Sequence, residues 1–180
     1  DHLNILDLNS SFDIGPFQMN LSTLTHSIPE PNSLFINTDL GTIYHTGDWK
    51  IDENPLIGDP INFKNMMNGH KKILAMVCDS TNVLTKGRSG SELEVRKNLL
   101  KTIKDIKSKI FVTSFASNVA RLETIALAAK ESNRSLVVLG RSMHRMISVA
   151  KENELLENID IILKEKEAVK KNDENLLYLC

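Results

Sequence analysis

Leu24-Thr25-His26-Ser27-Ile28-Pro29 and Tyr44-His45-Thr46-Gly47-Asp48-Trp49-Lys50 are short apolar runs, each reading as a strand that stops at a residue able to bind metal. His26 offers an imidazole nitrogen and Asp48 an anionic oxygen, and both suit a divalent ion such as zinc or manganese. A third stretch, Ile73-Leu74-Ala75-Met76-Val77-Cys78-Asp79-Ser80-Thr81-Asn82, repeats the pattern: a strand that reads as buried ends in a carboxylate. Ligand sites gather beyond strand ends in open sheets, where loops converge. Taken singly, a histidine at a strand end is usually a hydrogen-bonded structural residue, and Gly-Asp after a strand is commonly a turn. Taken together, the three ends point to a metallohydrolase-type site. Catalytic metals usually take three or more protein ligands, so part of that site is expected outside this chain.

Outward from these runs the chain has two textures. Residues 12 to about 65 read as short strands and turns. Leu34-Phe35-Ile36-Asn37 and Thr42-Ile43-Tyr44-His45 flank Thr38-Asp39-Leu40-Gly41, a hairpin turn with glycine at its end. Pro29, Pro31, Pro55 and Pro60 punctuate the loops. From about residue 70 strands alternate with helices. Residues 73–78, 110–113, 136–139 and 176–179 read as buried strands, with three helical segments between them, as in a parallel α/β sheet. Ser91 and Glu94 make a capping box ahead of the apolar stripe Val95, Leu99, Ile103 and Ile106. Ser117 or Asn118 can cap the next helix, with Val119, Leu122, Ala126 and Ala129 on one face. Met143, Met146, Ile147 and Ala150 form the inner face of the third, and the Met pair reads as core. Residues 151–174, dense in Lys and Glu, read as a solvated helix and loop. The pattern alone places a domain boundary near residue 66.

A chain of 180 residues with 41% hydrophobic content can build one domain or two small ones. The net charge of −1 gives no global basic field, so an RNA-binding role would need a local basic channel. Cys78 and Cys180 both lie in apolar runs and read as buried thiols in a reducing compartment, not as a disulfide framework. No apolar run approaches 18 residues and there is no signal peptide, so a cytoplasmic protein without a membrane partner is expected.

The runs Thr25-His26-Ser27-Ile28-Pro29, His45-Thr46-Gly47-Asp48-Trp49-Lys50, Asp79-Ser80-Thr81-Asn82, Ser114-Phe115-Ala116-Ser117-Asn118 and Gly140-Arg141-Ser142-Met143 resemble bacterial ribonuclease J. That family belongs to the β-CASP branch of the metallo-β-lactamase superfamily. The resemblance covers roughly residues 12 to 180, with the runs in the family's order. It implies an α/β fold: a partial metallo-β-lactamase β-sandwich over residues 1–84, then a partial β-CASP domain over 85–180 with parallel strands and flanking helices. The family's first metal motif, HxHxDH, occurs nowhere in this chain, nor do the later β-CASP histidine motifs. The first residue is Asp1, and the last ones resemble the strand before the family's TGSQGEP stretch. The resemblance thus implies an internal piece, from a split gene or a truncated chain, whose partners are the missing N- and C-terminal parts of the enzyme. A family-type homo-oligomer is a further option.

The resemblance implies metal-assisted hydrolysis of RNA phosphodiester bonds. His26 would be a terminal ligand to one Zn2+ and Asp48 would bridge two, with Mn2+ or Mg2+ as alternatives. Asp79 would orient a downstream histidine without touching metal; an Asx-turn within Asp-Ser-Thr-Asn is compatible with that role. RNA contacts are expected where strands meet helices, at Phe115, Ser117, Asn118, Arg141 and Ser142. Backbone N–H groups at helix starts favour phosphate, a Phe can stack a base, and an Arg can pair a phosphate bidentately. Ordinary capping around a buried Phe is the competing account. The loop Thr85-Lys86-Gly87-Arg88-Ser89-Gly90 is basic but lacks a nucleotide-binding GxxxxGK[ST]. His2, His45, His70 and His144 show no ligand spacing, and His45 reads as structural. Two other readings stand beside a metal-dependent RNase piece. One is a non-catalytic RNA-binding or assembly module of the same fold. The other is a Rossmann-like or receiver-like α/β domain with Asp79 as acceptor, which leaves the β-rich first 65 residues unexplained.

Overall fold

The computed structural model describes residues 3–70, 72–156, 159 and 162–180; His2 lies outside them. The chain divides into two compact units, Asp1–His26 with Glu30–Ser89, and Ser27–Pro29 with Gly90–Cys180.

The first unit is built on β1 (Ser11–Ile14), β2 (Phe17–Thr23), β3 (Asn32–Asn37), β4 (Thr42–His45), α1 (Phe63–Met67) and β5 (Ile73–Val77). The strands form one sheet in the order β1-β2-β3-β4-β5, antiparallel throughout except that β5 runs parallel to β4. The expected hairpin is β3–β4, closed by Thr38, whose amide and hydroxyl both donate to the Gly41 carbonyl at 2.9 and 2.8 Å. Gly41 has φ +150°, and a Cβ there would stand 2.7 Å from Leu74 Cγ and 2.8 Å from the Lys72 carbonyl, so only glycine lets β5 come this close.

Side chains alternate across this sheet, and its two faces differ. One face carries Phe35 and Tyr44, stacked at 4.5 Å. The chain after β4 folds over them: the His70 ring lies on Phe35 at 3.7 Å and 8°, and the Tyr44 hydroxyl donates to Met66 Sδ at 3.7 Å. Burial lowers the His70 pKa and raises that of Tyr44. The other face carries Phe12, Met19, Leu21, Leu34, Ile36 and Ile43, all only half-buried. The strand 73–78, expected to be buried, is instead an exposed edge strand with Leu74, Met76 and Val77 each about half exposed, because it pairs on β4 alone. Cys78, beyond its end, is exposed, and Cys180 is half-buried, so the reading of both as buried thiols is corrected.

The second unit alternates helices and strands: α2 (Glu92–Lys104), β6 (Ile110–Val112), α3 (Val119–Glu131), β7 (Ser135–Val138), α4 (Arg141–Glu152), β8 (Ile162–Leu163), α5 (Glu165–Ala168) and β9 (Leu176–Leu179). All strands are parallel, in the order β6-β9-β7-β8. This is the expected α/β architecture, a parallel sheet flanked by helices. The region 151–174 is more structured than expected, since β8 and α5 both fall within it.

The core of this unit closes on itself. Val119, Leu122, Ile125 and Ala129 of α3 and Met143, Ile147 and Ala150 of α4 are buried, as are Leu136, Val138, Leu177 and Leu179 of the sheet. Ala168 of α5 packs with Val137 and Leu176. The capping box at Ser91 and Glu94 is formed in both directions. α2 ends at Lys104, so Ile106 of the expected stripe lies beyond the helix. Buried Arg134 was not foreseen. Its guanidinium donates to the carbonyls of Ser108 at 2.7 Å, Leu176 at 3.1 Å and Ile106, which ties the loop before β6 to the start of β9.

Candidate functional site

Three loops of the first unit are stitched side by side, and each carries one of the expected site residues. The segment after β2 turns back through Thr25, which is buried. The Lys50 amide donates to the Thr25 carbonyl at 2.8 Å, the Thr25 hydroxyl donates to the Lys50 carbonyl, and the Asp52 amide donates to the Thr25 hydroxyl at 3.2 Å. His26 therefore follows a residue pinned beside Lys50, two positions past Asp48. The second seam joins β4 to β5. The Thr46 amide donates to the Val77 carbonyl at 2.9 Å, and the Asp79 amide donates to the fully buried Thr46 hydroxyl at 3.0 Å. That hydroxyl donates in turn to the Gly47 carbonyl at 2.7 Å. Gly47 has φ +58° and directs the chain out to the exposed Asp48. A third link is the Trp49 indole, which donates to the Asp79 carbonyl at 3.1 Å and meets Phe63 edge-on at 6.4 Å.

The Asp79 carboxylate is held below its ordinary pKa, first by the Thr81 hydroxyl and amide, which donate to it at 2.6 and 2.9 Å. The Trp49 backbone amide and the nearby His26 act in the same direction, so Asp79 shares its surroundings with both other loops. The Thr81 contacts form the Asx-turn weighed from the sequence. His45 accepts a hydrogen bond from the Gly47 amide at Nδ1, at 3.0 Å, which is a local structural contact.

His26 and Asp48 offer one imidazole nitrogen and one carboxylate, which fits a divalent metal in kind. Among the described residues no group of three or more His, Cys, Asp or Glu side chains gathers closely enough to hold a metal ion. The donor set is therefore partial.

The second set of expected residues lies on one rim of the parallel sheet. The Ser114 amide donates to the Cys180 carbonyl at 3.0 Å and the Leu139 amide to the Leu179 carbonyl at 2.8 Å, so the loops after β6 and β7 flank the end of β9. Ligands of open parallel sheets bind on this carboxyl side. Phe115 is 83% exposed, which removes the buried-Phe account of that loop. Ser117 is half-buried. Asn118 is buried, and its side-chain oxygen accepts the Arg121 amide at 3.0 Å as the α3 cap. Arg141 and Ser142 are exposed in the first turn of α4, where Gly140 provides no side-chain cap. His144 places Nε2 3.0 Å from the Val138 carbonyl just below.

Sequence reading singled out the ends of the three loops and missed what joins them. Thr25 and Thr46 look like ordinary strand residues by composition. Their one sequence signal is position, immediately before His26 and two before Asp48. The ion pair of Glu92 with Arg121, at 3.0 Å between α2 and α3, was also missed, since a charge in a helix's first turn normally reads as solvated.

Residues 107–180 match the family model of the ribonuclease J β-CASP domain. The chain is 41% identical to a ribonuclease J of Sinorhizobium meliloti over 168 residues, 92% of this chain and 29% of that protein. It is 40% identical to a ribonuclease J of Corynebacterium glutamicum over 144 residues, 79% of this chain and 20% of that protein. A crystal structure of a protein of unknown function from Enterococcus faecalis superposes on 99% of this chain and 45% of its own length, with a TM-score of 0.68 at 15% identity, which shows likeness of fold. The chain thus spans less than a third of the length of these curated relatives. Order of motifs, parallel β-CASP-type sheet and extended sequence identity agree: the chain belongs to the ribonuclease J family.

Proposed function

We propose that this chain is the part of a metal-dependent ribonuclease, with 5′-3′ exonuclease and endonuclease activity in RNA maturation and decay, that supplies His26 and Asp48 to the metal centre. The observation that carries this is the convergence of the loops bearing His26, Asp48 and Asp79, within a chain of the ribonuclease J family. In this reading His26 and Asp48 would help hold the metal centre, His26 as a terminal ligand and Asp48 as a ligand shared between two ions, with Zn2+ the expected metal and Mn2+ or Mg2+ as substitutes. Such a pair, when bound, polarises a phosphate and yields hydroxide near neutral pH. Asp79, with its charge stabilised by Thr81 and Trp49, orients a histidine supplied from elsewhere. On the parallel-sheet rim Phe115 stacks a base, Arg141, Ser142 and Ser117 meet phosphates, and Asn118 holds the loop through its cap. The domain boundary of this reading stays at 1–84 and 85–180.

The partial donor set argues that the chain alone does not cleave RNA, and the half-buried apolar face of the first sheet fits a second sheet from the remaining parts of the enzyme. A family-type homo-oligomer in the cytoplasm completes the proposal; no helix among the described residues is long and apolar enough to cross a membrane. The same partial donor set favours, as a second reading, a non-catalytic RNA-binding or assembly module.

The test is direct. The purified chain, given zinc, manganese or magnesium, leaves 5′-monophosphorylated RNA intact, and co-expression with a polypeptide bearing HxHxDH and the later histidine motifs restores cleavage. Restored cleavage that survives Asp48→Ala would sink the assignment of Asp48, and complexes that form without cleaving would favour the module.

A further inference from the structure

We infer that Thr25 and Thr46 are positioning residues, a pair of buried hydroxyl clasps that set the loops of His26, Asp48 and Asp79 against one another. The inference rests on the metal-site reading above only for what the three loops are for; the clasp itself rests on the contacts.

Each hydroxyl uses its donor and an acceptor at once. Thr25 donates to the Lys50 carbonyl and accepts the Asp52 amide at 3.2 Å. Thr46 donates to the Gly47 carbonyl at 2.7 Å and accepts the Asp79 amide at 3.0 Å. The partners are backbone groups of loops, where no strand ladder supplies an alternative. Both side chains are buried, Thr46 completely, so water cannot replace a lost contact without opening the seam. The two clasps act from opposite sides on the same short loop. Thr25 grips it at residues 50 and 52, beyond Asp48, while Thr46 grips it at residue 47, before Asp48, and joins it to Asp79. Asp48 is thus held at both shoulders while remaining exposed itself.

A threonine merely filling space would tolerate valine, which is isosteric and lacks the hydroxyl. The proposal requires that valine fail and serine succeed at both positions. Trp49 is the chain's single tryptophan and bridges the clasped loops through its indole N–H, so it reports on them without any metal.

In the full chain we expect Thr25→Val and Thr46→Val to keep the far-UV circular dichroism of the parent. Hydrogen exchange of the Trp49 indole should rise about tenfold or more, and Thr25→Ser and Thr46→Ser should restore protection. Affinity for Zn2+ alone, read by competition with a chromophoric chelator, should fall by about 10- to 100-fold in the valine variants, the usual loss when groups supporting metal ligands are removed. Unchanged indole exchange in both valine variants would overturn the proposal. So would collapse of the whole fold in them, because the hydroxyls would then support the sheet rather than the loops. Because the donor set of this chain is partial, a parent chain that takes up no Zn2+ but shows the indole result leaves the clasp standing and moves the Zn2+ comparison to the complex that restores cleavage; a complex that takes up no Zn2+ would remove the metal reading and leave the clasp standing.

Discussion

The two sheets of this chain handle the same problem differently. The parallel sheet of the second unit is interleaved with its own helices, and Val137, Leu177 and Leu179 are fully buried. The sheet of the first unit is largely antiparallel, with short turns at β1–β2 and β3–β4, and its cover comes from the long β4–β5 connection folded over one face. Among its described residues Leu24, Pro31, Phe35 and Tyr44 are the buried apolar side chains. Antiparallel sheets that leave one face to water usually make that face polar. Here it carries Phe12, Met19, Leu21, Leu34, Ile36 and Ile43. Crossover helices arrive with the sequence that makes parallel strands, whereas hairpins bring no cover of their own.

The hardest blow to this contrast would come from the buried side chains. Leu177→Ala should cost about 2–5 kcal/mol and Phe35→Ala about 3–5 kcal/mol, through lost burial and the cavity left behind. Urea unfolding followed separately by Trp49 fluorescence and by far-UV circular dichroism should show Phe35→Ala acting on the first unit. Equal destabilisation of both signals by both substitutions would mean that the units unfold as one.

Ile36 lies one residue away on the opposite face. Ile36→Thr should lower stability by less than Phe35→Ala and should raise the soluble fraction of the expressed chain, because it interrupts an exposed apolar patch. A loss of solubility with Ile36→Thr would show that this face is already covered.

A smaller effect sharpens the picture of the second unit. Ser91→Ala removes one half of the capping box of α2 and should cost about 1 kcal/mol, measurable as a lower urea midpoint at unchanged slope.

The smallest effect concerns charge. Asp79 has a lowered pKa, so its contribution is present above the unfolded carboxylate value and is lost as pH falls through the lower folded value. Thr81→Val removes the side-chain hydroxyl that is the first cause of the shift and should move the Asp79 carboxyl titration upward, as read by carbon-13 NMR. An unmoved titration would assign the shift to the Thr81 amide, which the substitution keeps, with Trp49 and His26 behind it.

Periodicity and capping chemistry were enough to read α2, α3, α4 and the strands between them, because those elements are determined by neighbours three to four residues apart. The hairpin of β3 and β4 was equally legible, since its turn residues and flanking alternation are contiguous. The five motif runs, in order, pointed to the family. Burial of 73–78 could not be read that way. An apolar run states what a strand would prefer to bury, and only the strand order shows that β5 sits at an edge with a single neighbour.

His26, Asp48 and Asp79 were recognisable as candidates because their chemistry is written in the side chain. Their mutual placement is not. It depends on Thr25 reaching Lys50 and Asp52, on Thr46 reaching Asp79, and on the Trp49 indole reaching the Asp79 carbonyl. These are hydrogen bonds between residues roughly 25 to 33 positions apart, formed only once the sheet has brought their backbones together. Local sequence specified the parts of this protein; tertiary structure alone decided which buried hydroxyl meets which loop, because a hydrogen bond has direction and length and a sequence has neither.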